Sequence, residues 1–253
     1  MSGAAIQIVP RQAAIGLGLA GALCAAWAIT HVWGVFFHPL TPVGLVLALP
    51  LVALQTWLNV GLFIVAHDCM HGSLAPFRPR LNRIVGRTCL ALYAGFSFDR
   101  LIGKHFAHHR HSGTADDPDF HADGPRRFWP WYVTFFRRYF GLREFLTLAA
   151  LLGTYLFVLG ASPVRALLFW GLPAILSSFQ LFYFGTYLPH RHEDEEAFGD
   201  EHNARSNDFP VVASLLTCFH FGYHHEHHEH PHVPWWRLPA FRAAARQPQV
   251  GRT

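Results

Sequence analysis

Residues 43–71 read VGLVLALPLVALQTWLNVGLFIVAHDCMH, with no charge until Asp68 and with His67 and His71 at the end. About 20 apolar residues are enough to cross the hydrocarbon core of a bilayer. The stretch therefore predicts a membrane span that carries two imidazoles out on its last turn. Positions i and i+4 share one face of a helix, so His67 and His71 aim at one point. The span fixes their depth.

Working outward toward the N-terminus, the chain has no Lys, Arg, Asp or Glu from Gln12 to His67. Phe36-Phe-His-Pro-Leu-Thr-Pro42 breaks the run into spans at 12–36 and 43–67. The apolar stretch outlasts the roughly 7–15 residues of a signal-peptide core, so residues 12–37 read as a retained anchor. Toward the C-terminus, Phe145–Val164 and Ala166–His190 are again uncharged, separated at Ser162-Pro163 and Arg165. They predict spans at 144–161 and 166–190. Core helices of soluble proteins seldom run past about 14 apolar residues before a polar face appears.

The expected fold is an all-α integral membrane protein, one membrane-embedded domain over residues 1–253. Four transmembrane helices form two hairpins beneath a histidine-rich cap of cytoplasmic and interfacial helices. With the N-terminus inside, only Arg165 of the 20 Lys and Arg residues falls outside, which satisfies the positive-inside rule. Both termini and the segments 67–142 and 191–240 then share the cytoplasmic side. The apolar stretches 84–98 and 208–223 are too short to span, and the first suits a re-entrant or interfacial helix covering the site. Phe128-Trp-Pro-Trp-Tyr132 and Phe135-Phe-Arg-Arg-Tyr-Phe140 mix aromatics with arginine, as headgroup-level segments do.

The chain has 253 residues, 51% hydrophobic and 14% charged, with a net charge of +4. This basic balance is the signature of positive-inside anchoring, and no nucleic-acid-binding motif accompanies it. Cys24, Cys69, Cys89 and Cys218 show no C-x-x-C spacing, so reduced thiols are expected.

Two further histidine clusters join the first: His105-Phe-Ala-His108-His109 and His224-His-Glu-His227-His228. Eight convergent imidazoles exceed what one tetrahedral ion can use, and two metals are the simplest reading. His111 points about 120° away from its cluster at 100° per residue. His220 precedes His224 by four, so His220, His224, His227 and His228 are expected to form one stripe. His31, His38, His121, His202 and His232 read as interfacial or loop residues. His228-Glu-His-Pro-His232 formally matches a zinc-protease pattern, but Pro231 denies it the necessary helix. A histidine-only dimetal centre needs compensating acids, and Asp68, Asp99, Asp117, Glu226 and Glu229 are the candidates by proximity. A redox-active metal pair in apolar surroundings suits attack on an unactivated C–H bond, although spacing alone does not separate this from zinc hydrolysis.

Three longer contexts carry a resemblance: Ala66-His-Asp-Cys-Met-His-Gly72, Phe184-Gly-Thr-Tyr-Leu-Pro-His-Arg191, and His220-Phe-Gly-Tyr-His-His-Glu-His-His228 with Pro231-His-Val-Pro-Trp-Trp-Arg-Leu-Pro239. Over roughly residues 55 to 240 the chain resembles the membrane-bound histidine-box oxygenases, a superfamily of desaturases and hydroxylases, and within it the bacterial β-carotene ketolases. The resemblance implies a non-haem di-iron centre held by His67, His71, His105, His108, His109, His190, His224, His227 and His228. His220 is the rival for the ninth place, and Asp68 and Asp117 stand behind the ligands. Thr186 departs from the asparagine that desaturases carry four residues before the histidine corresponding to His190.

The implied reaction is O2-dependent oxidation of the C4 methylene of a β-ionone ring to a ketone. It would take β-carotene to echinenone and canthaxanthin, and zeaxanthin to astaxanthin. Electrons would come from reduced ferredoxin, and the location would be the bacterial inner membrane. Arg78, Arg80, Arg83 and Arg87 offer an acidic donor a docking face or simply anchor the chain. A carotenoid ring hydroxylase and a fatty-acid desaturase or hydroxylase share this chemistry. A histidine-relay metal transporter is a third class, against which the charge-free spans argue. With so few spans, a lateral, lipid-facing entrance near the cytoplasmic headgroups is expected, with Phe96, Phe182, Tyr183 and Trp235 as candidate lining.

Overall fold

In the computed structural model, which describes residues 11–192 and 198–246, α1 (Gln12–Val32) ends in a π-helical turn, Trp33–Phe37. The next helix, α2 (Pro42–His71), starts where Pro42 sits at the first helical position and the Thr41 hydroxyl accepts the Gly44 N–H at 3.1 Å. Both are strong helix-start signals. It stops at Gly72, whose φ of 70° is the left-handed cap that favours glycine. Then come α3 (Pro79–Ala94), α4 (Phe98–His111), α5 (Phe128–Tyr139) and α6 (Leu142–Gly153), the last extended by a π-helical turn, Thr154–Val158. A continuous run from Pro163 to His190 holds α7 (Pro163–Ala166), α8 (Leu172–Phe182) and α9 (Leu188–His190), joined by π-helical turns. The chain closes with α10 (Val211–Cys218), α11 (His224–Glu229) and α12 (Leu238–Ala245). No strand occurs among the described residues.

Gln12–Phe37, Pro42–His71 and Pro163–His190 are long and apolar enough to cross a membrane. The pair α5 and α6 with its π turn makes a fourth only if it counts as one span, for it is bent by 76°. Outward-facing residues are apolar: Leu49 is 71% and Phe157 87% exposed. A soluble protein does not present such surfaces in bands this long. The chain ends, assigned to the cytoplasmic side from charge, lie outside the described residues.

Polar side chains inside the apolar bundle pair with one another. Trp27 Nε1 donates to Asn59 Oδ1 at 2.6 Å, and the Thr30 hydroxyl donates to Gln55, together clasping α1 to α2. Interhelical bonds of this kind are worth about 0.6–2 kcal/mol in a membrane. His31 Nε2 meets the Tyr155 hydroxyl at 3.1 Å, which ties the turn after α6 to α1. Arg165 Nε donates to the His38 carbonyl at 2.7 Å, so the turns at 36–42 and 161–165 lie at the same end of the bundle. His31 is thus a buried clasp residue within α1, and His38 lies in the loop before α2, buried against the Gly44 carbonyl. The four thiols are free.

At the opposite end, the buried core formed by α1, α2, α3 and the 218–221 turn supports the cap. Gln12 Nε2 donates to the Ser73 carbonyl at 2.7 Å, and Asn82 holds both backbone groups of Ala75 at 2.7 and 3.1 Å. These bonds fold the 72–78 loop back, so that α3 lies against α2 and delivers α4 to the end of α2. The short apolar segment Asp208–Tyr223 holds α10 followed by two left-handed residues, Phe219 (φ 49°) and His220 (φ 64°). That turn starts α11 afresh at His224.

Candidate metal centre

Two separate groups of imidazoles come together at the end of α2. His67, His71, His105, His109 and His227 form one, and His108, His190, His224 and His228 the other. Within each group, one ring nitrogen per residue lies within 4.8 Å of all the others. The i, i+4 pairs 67/71, 105/109 and 224/228 stay together, whereas the immediate neighbours 108/109 and 227/228 part company. Adjacent helical positions are 100° apart, so one helix turn can serve two sites. The groups abut, with the His109 and His228 rings stacked at 4.3 Å.

The nitrogens fit a bound cation. His105 and His71 Nε2 approach to 2.6 Å, His108 and His228 to 3.2 Å, His227 and His109 to 3.2 Å, and His228 and His224 to 3.1 Å. Two nitrogens each about 2.1 Å from a shared ion lie roughly 3 Å apart, the spacing these pairs bracket. Nε2 of His67 and of His190 are buried without a hydrogen-bond partner. Such orphans cost about 1–3 kcal/mol each unless something else accepts their lone pairs.

Burial among other imidazoles holds His105, His109, His224, His227 and His228 below the ordinary histidine range. Neutral imidazole is the ligand form. His108 differs: burial lowers it, yet the carboxyls of Asp119 and Asp117 hold it above the ordinary value. Its Nδ1 contacts both Asp117 oxygens at 3.0 Å, which leaves Nε2 facing the group. His190 Nδ1 is likewise fixed by the Asn203 carbonyl at 2.8 Å. Carbonyls and carboxylates behind ligating histidines set ring orientation and basicity.

Asp68 does not act this way. It lies 4.0 Å from His67 Nδ1 and instead accepts the Trp235 backbone N–H at 3.2 Å. Glu226 is taken by Arg242 at 2.5 Å, and Asp99 by Arg87 at 2.5 Å with Arg83 at 3.4 Å. Asp119 is a carboxylate that sequence proximity missed, 3.8 Å from His108 Nδ1. Arg138 was missed too: its Nη1 donates to the carbonyls of Pro118 at 2.8 Å and Phe120 at 2.7 Å, while Trp131 Nε1 donates to that of Asp119 at 2.7 Å. The signal was a buried indole that needs an acceptor.

His220 belongs to neither group. The left-handed turn swings it onto Tyr223 and Trp235, with ring centroids 5.9 and 6.1 Å away, so the stripe expected from His220 to His228 does not form. His111 is exposed, and α11 ends at Glu229, before the zinc-protease-like match is complete.

Asp117→Asn keeps an acceptor toward His108 but removes the charge. Metal affinity or turnover should fall about 10- to 100-fold, read as metal content at limiting supply and as product formed; unchanged values for both would show that the carboxylate charge is idle.

A cavity of about 560 Å³ opens onto both groups, reaching His67, His105, His108, His109 and His224. Elsewhere its lining is almost wholly apolar, and it runs between α6 and the Pro163–His190 span as far as Pro163. Of the four aromatics proposed as lining, only Phe96 contributes.

Residues 40–146 and 142–252 match the model of the family described as "Fatty acid desaturase". The chain belongs to the fatty acid desaturase family. It is 52% identical over 236 residues to a protein named beta-carotene ketolase from Paracoccus sp. (strain PC1), covering 90% of this chain and 92% of that protein. A beta-carotene ketolase from Haematococcus lacustris is 42% identical over 74% of this chain and 59% of its own length. A zeaxanthin 4-ketolase from Chlamydomonas reinhardtii is 38% identical over 94% of this chain and 55% of its own length.

Proposed function

We propose that this member of the family is a membrane-bound di-iron oxygenase that uses O2 to convert the C4 methylene of carotenoid β-ionone rings to a ketone. The observation that carries this is one apolar cavity fronting two adjacent all-histidine groups, in a chain whose relatives are named as carotenoid ketolases. His67, His71, His105, His109 and His227 would hold one iron, and His108, His190, His224 and His228 the other. Iron bound there would supply O2 activation and redox capacity.

The chain's own residues do the rest. Asp117 and the Asn203 carbonyl fix the tautomers of His108 and His190, so that each presents Nε2. Phe221, Met70 and the leucines of the cavity wall exclude water from the site, which protects a reactive oxidant from side reactions. Asp119 lines the cavity, accepts a hydrogen bond from the Tyr139 hydroxyl and is raised above the ordinary carboxylate range by burial. Its carboxyl oxygens are placed to pass protons toward the site.

Four spans in two hairpins, with the cap facing the cytoplasm of a bacterial inner membrane, suit the distribution of arginine and lysine. Reduced ferredoxin is the proposed donor. Arg78 and Arg80 are the free half of the basic face, because Arg83 and Arg87 already pair with Asp99.

Expression in a bacterium that accumulates β-carotene tests this reading. Echinenone and canthaxanthin are expected in the pigment extract. Hydroxylated rings without ketones would shift the assignment to a ring hydroxylase, and unaltered pigment in membranes that hold the protein would overturn it.

A further inference from the structure

The cavity has a shape that the histidine groups do not require. Beside the larger Leu167, Trp170 and Ile175, its wall along the Pro163–His190 span carries the row Gly171, Ala174, Ser178, Leu181 and Gly185. Their steps of three and four residues trace one helix face. Most of these side chains are small, a pattern that ordinarily lets a second helix pack close. Here the opposite wall is Leu148, Leu152 and Leu156, across open space. The cavity therefore follows the span lengthwise, from Thr186 beside the metal groups to Pro163 at the far turn.

At about 1.5 Å per residue that run is on the order of 30 Å, the thickness of the hydrocarbon core. Its side is open to lipid, since the lining residues Leu167 and Ile175 are 64% and 54% exposed. At its metal end it meets His67 of the five-histidine group, 3% exposed and with neither ring nitrogen hydrogen-bonded. A long slot with a reactive end and an open flank takes a rigid rod from the side.

We propose that this slot binds the polyene lengthwise across the membrane, the ring being oxidised at the histidine groups and the opposite ring between Ala166 and Trp170, with Gly171 and Ala174 as the residues that admit full length. This rests on the carotenoid reading above. It assigns a fixed orientation to the substrate and a role to residues far from the metals. Side loading removes the need to thread a stiff chain end-on. It also means that the second ring is reached only after the molecule leaves and returns reversed.

The test uses the iron-loaded protein with bound β-carotene, freed of excess pigment and reconstituted in oriented bilayers. Linear dichroism of the polyene band should place its long axis within about 40° of the membrane normal, the tilt range of spanning helices. A polyene lying near the membrane plane overturns the proposal.

Gly171→Phe supplies the second measurement. A Cβ at Gly171 meets Leu167 Cδ1 at 3.6 Å and the Ala166 carbonyl at 3.9 Å, ordinary contacts that leave folding intact, and the ring then fills the slot. Retained β-carotene and its turnover should both fall roughly tenfold or more at unchanged iron content. Gly153→Phe, off the slot with its nearest neighbour at 4.0 Å, should behave as wild type. Equal retention in both variants counts against the slot. A wild type that holds the polyene upright but forms no ketone would sink the catalytic reading and leave the pose standing, whereas ketone formation from a flat-lying polyene would do the reverse.

Discussion

Alanine at His108 and alanine at His109 should each lower ketone formation on the order of a thousandfold, while emptying different ions. The two residues are neighbours on α4, yet one belongs to the four-histidine group and the other to the five-histidine group. His108→Ala removes the ring that both Asp117 oxygens hold, leaving the buried carboxylate only the backbone N–H groups of Gly113 and Asp119, so this variant should also be the less stable of the two. His109→Ala leaves that pair intact. Metal analysis should give close to one iron per chain in each, and spectroscopy of the remaining ion should differ between them. His111→Ala, exposed on the same helix, is the control and should keep both irons and full turnover. Two irons retained in either of the first two variants would overturn the ligand assignment.

Replacing iron by zinc should abolish turnover while restoring the fold. Zinc accepts histidine nitrogen at nearly the same distance but has no redox chemistry. Stripping the metal leaves buried imidazoles uncompensated, including Nε2 of His67 and His190, which have no protein partner. The melting temperature should therefore drop on chelation and recover with either metal, because anything that binds only the folded state stabilises it. Ketone formation should recover with iron alone. Product from zinc-loaded protein would exclude an oxidative mechanism; an unchanged melting temperature on chelation would mean that the groups hold no metal.

Much of this site is legible in the sequence because helical spacing is a local property. The pairs 67/71, 105/109 and 224/228 each follow from four-residue steps, and the end of α2 follows from an uncharged run that stops at His67. The partition into two groups is not local. It depends on how α4 and α11 rotate against α2, which no spacing within one segment records. His220 shows the limit most clearly: a four-residue step puts it in line with His224, but two left-handed residues break the helix between them. Asp68 and Asp117 look equivalent as acids near histidines. Only the chain path through 112–120, held by Arg138 and Trp131, brings Asp117 to His108 and leaves Asp68 to the backbone of Trp235. The slot was illegible for a similar reason, since a face of small residues reads equally well as a packing surface.

The division of the histidines between early and late elements also sets a timetable for the growing chain. Four of the five members of one group precede residue 110, whereas the other has only His108 and His190 until α11 emerges. Domains and their parts become available from the N-terminus onward during synthesis. The five-histidine site can thus be provisioned in part while the Pro163–His190 span is still being made, and the four-histidine site only once α11 has emerged. If the proposed iron is loaded in this order, protein made under iron shortage is expected to fill the five-histidine site first, with the four-histidine site the emptier of the two on metal analysis.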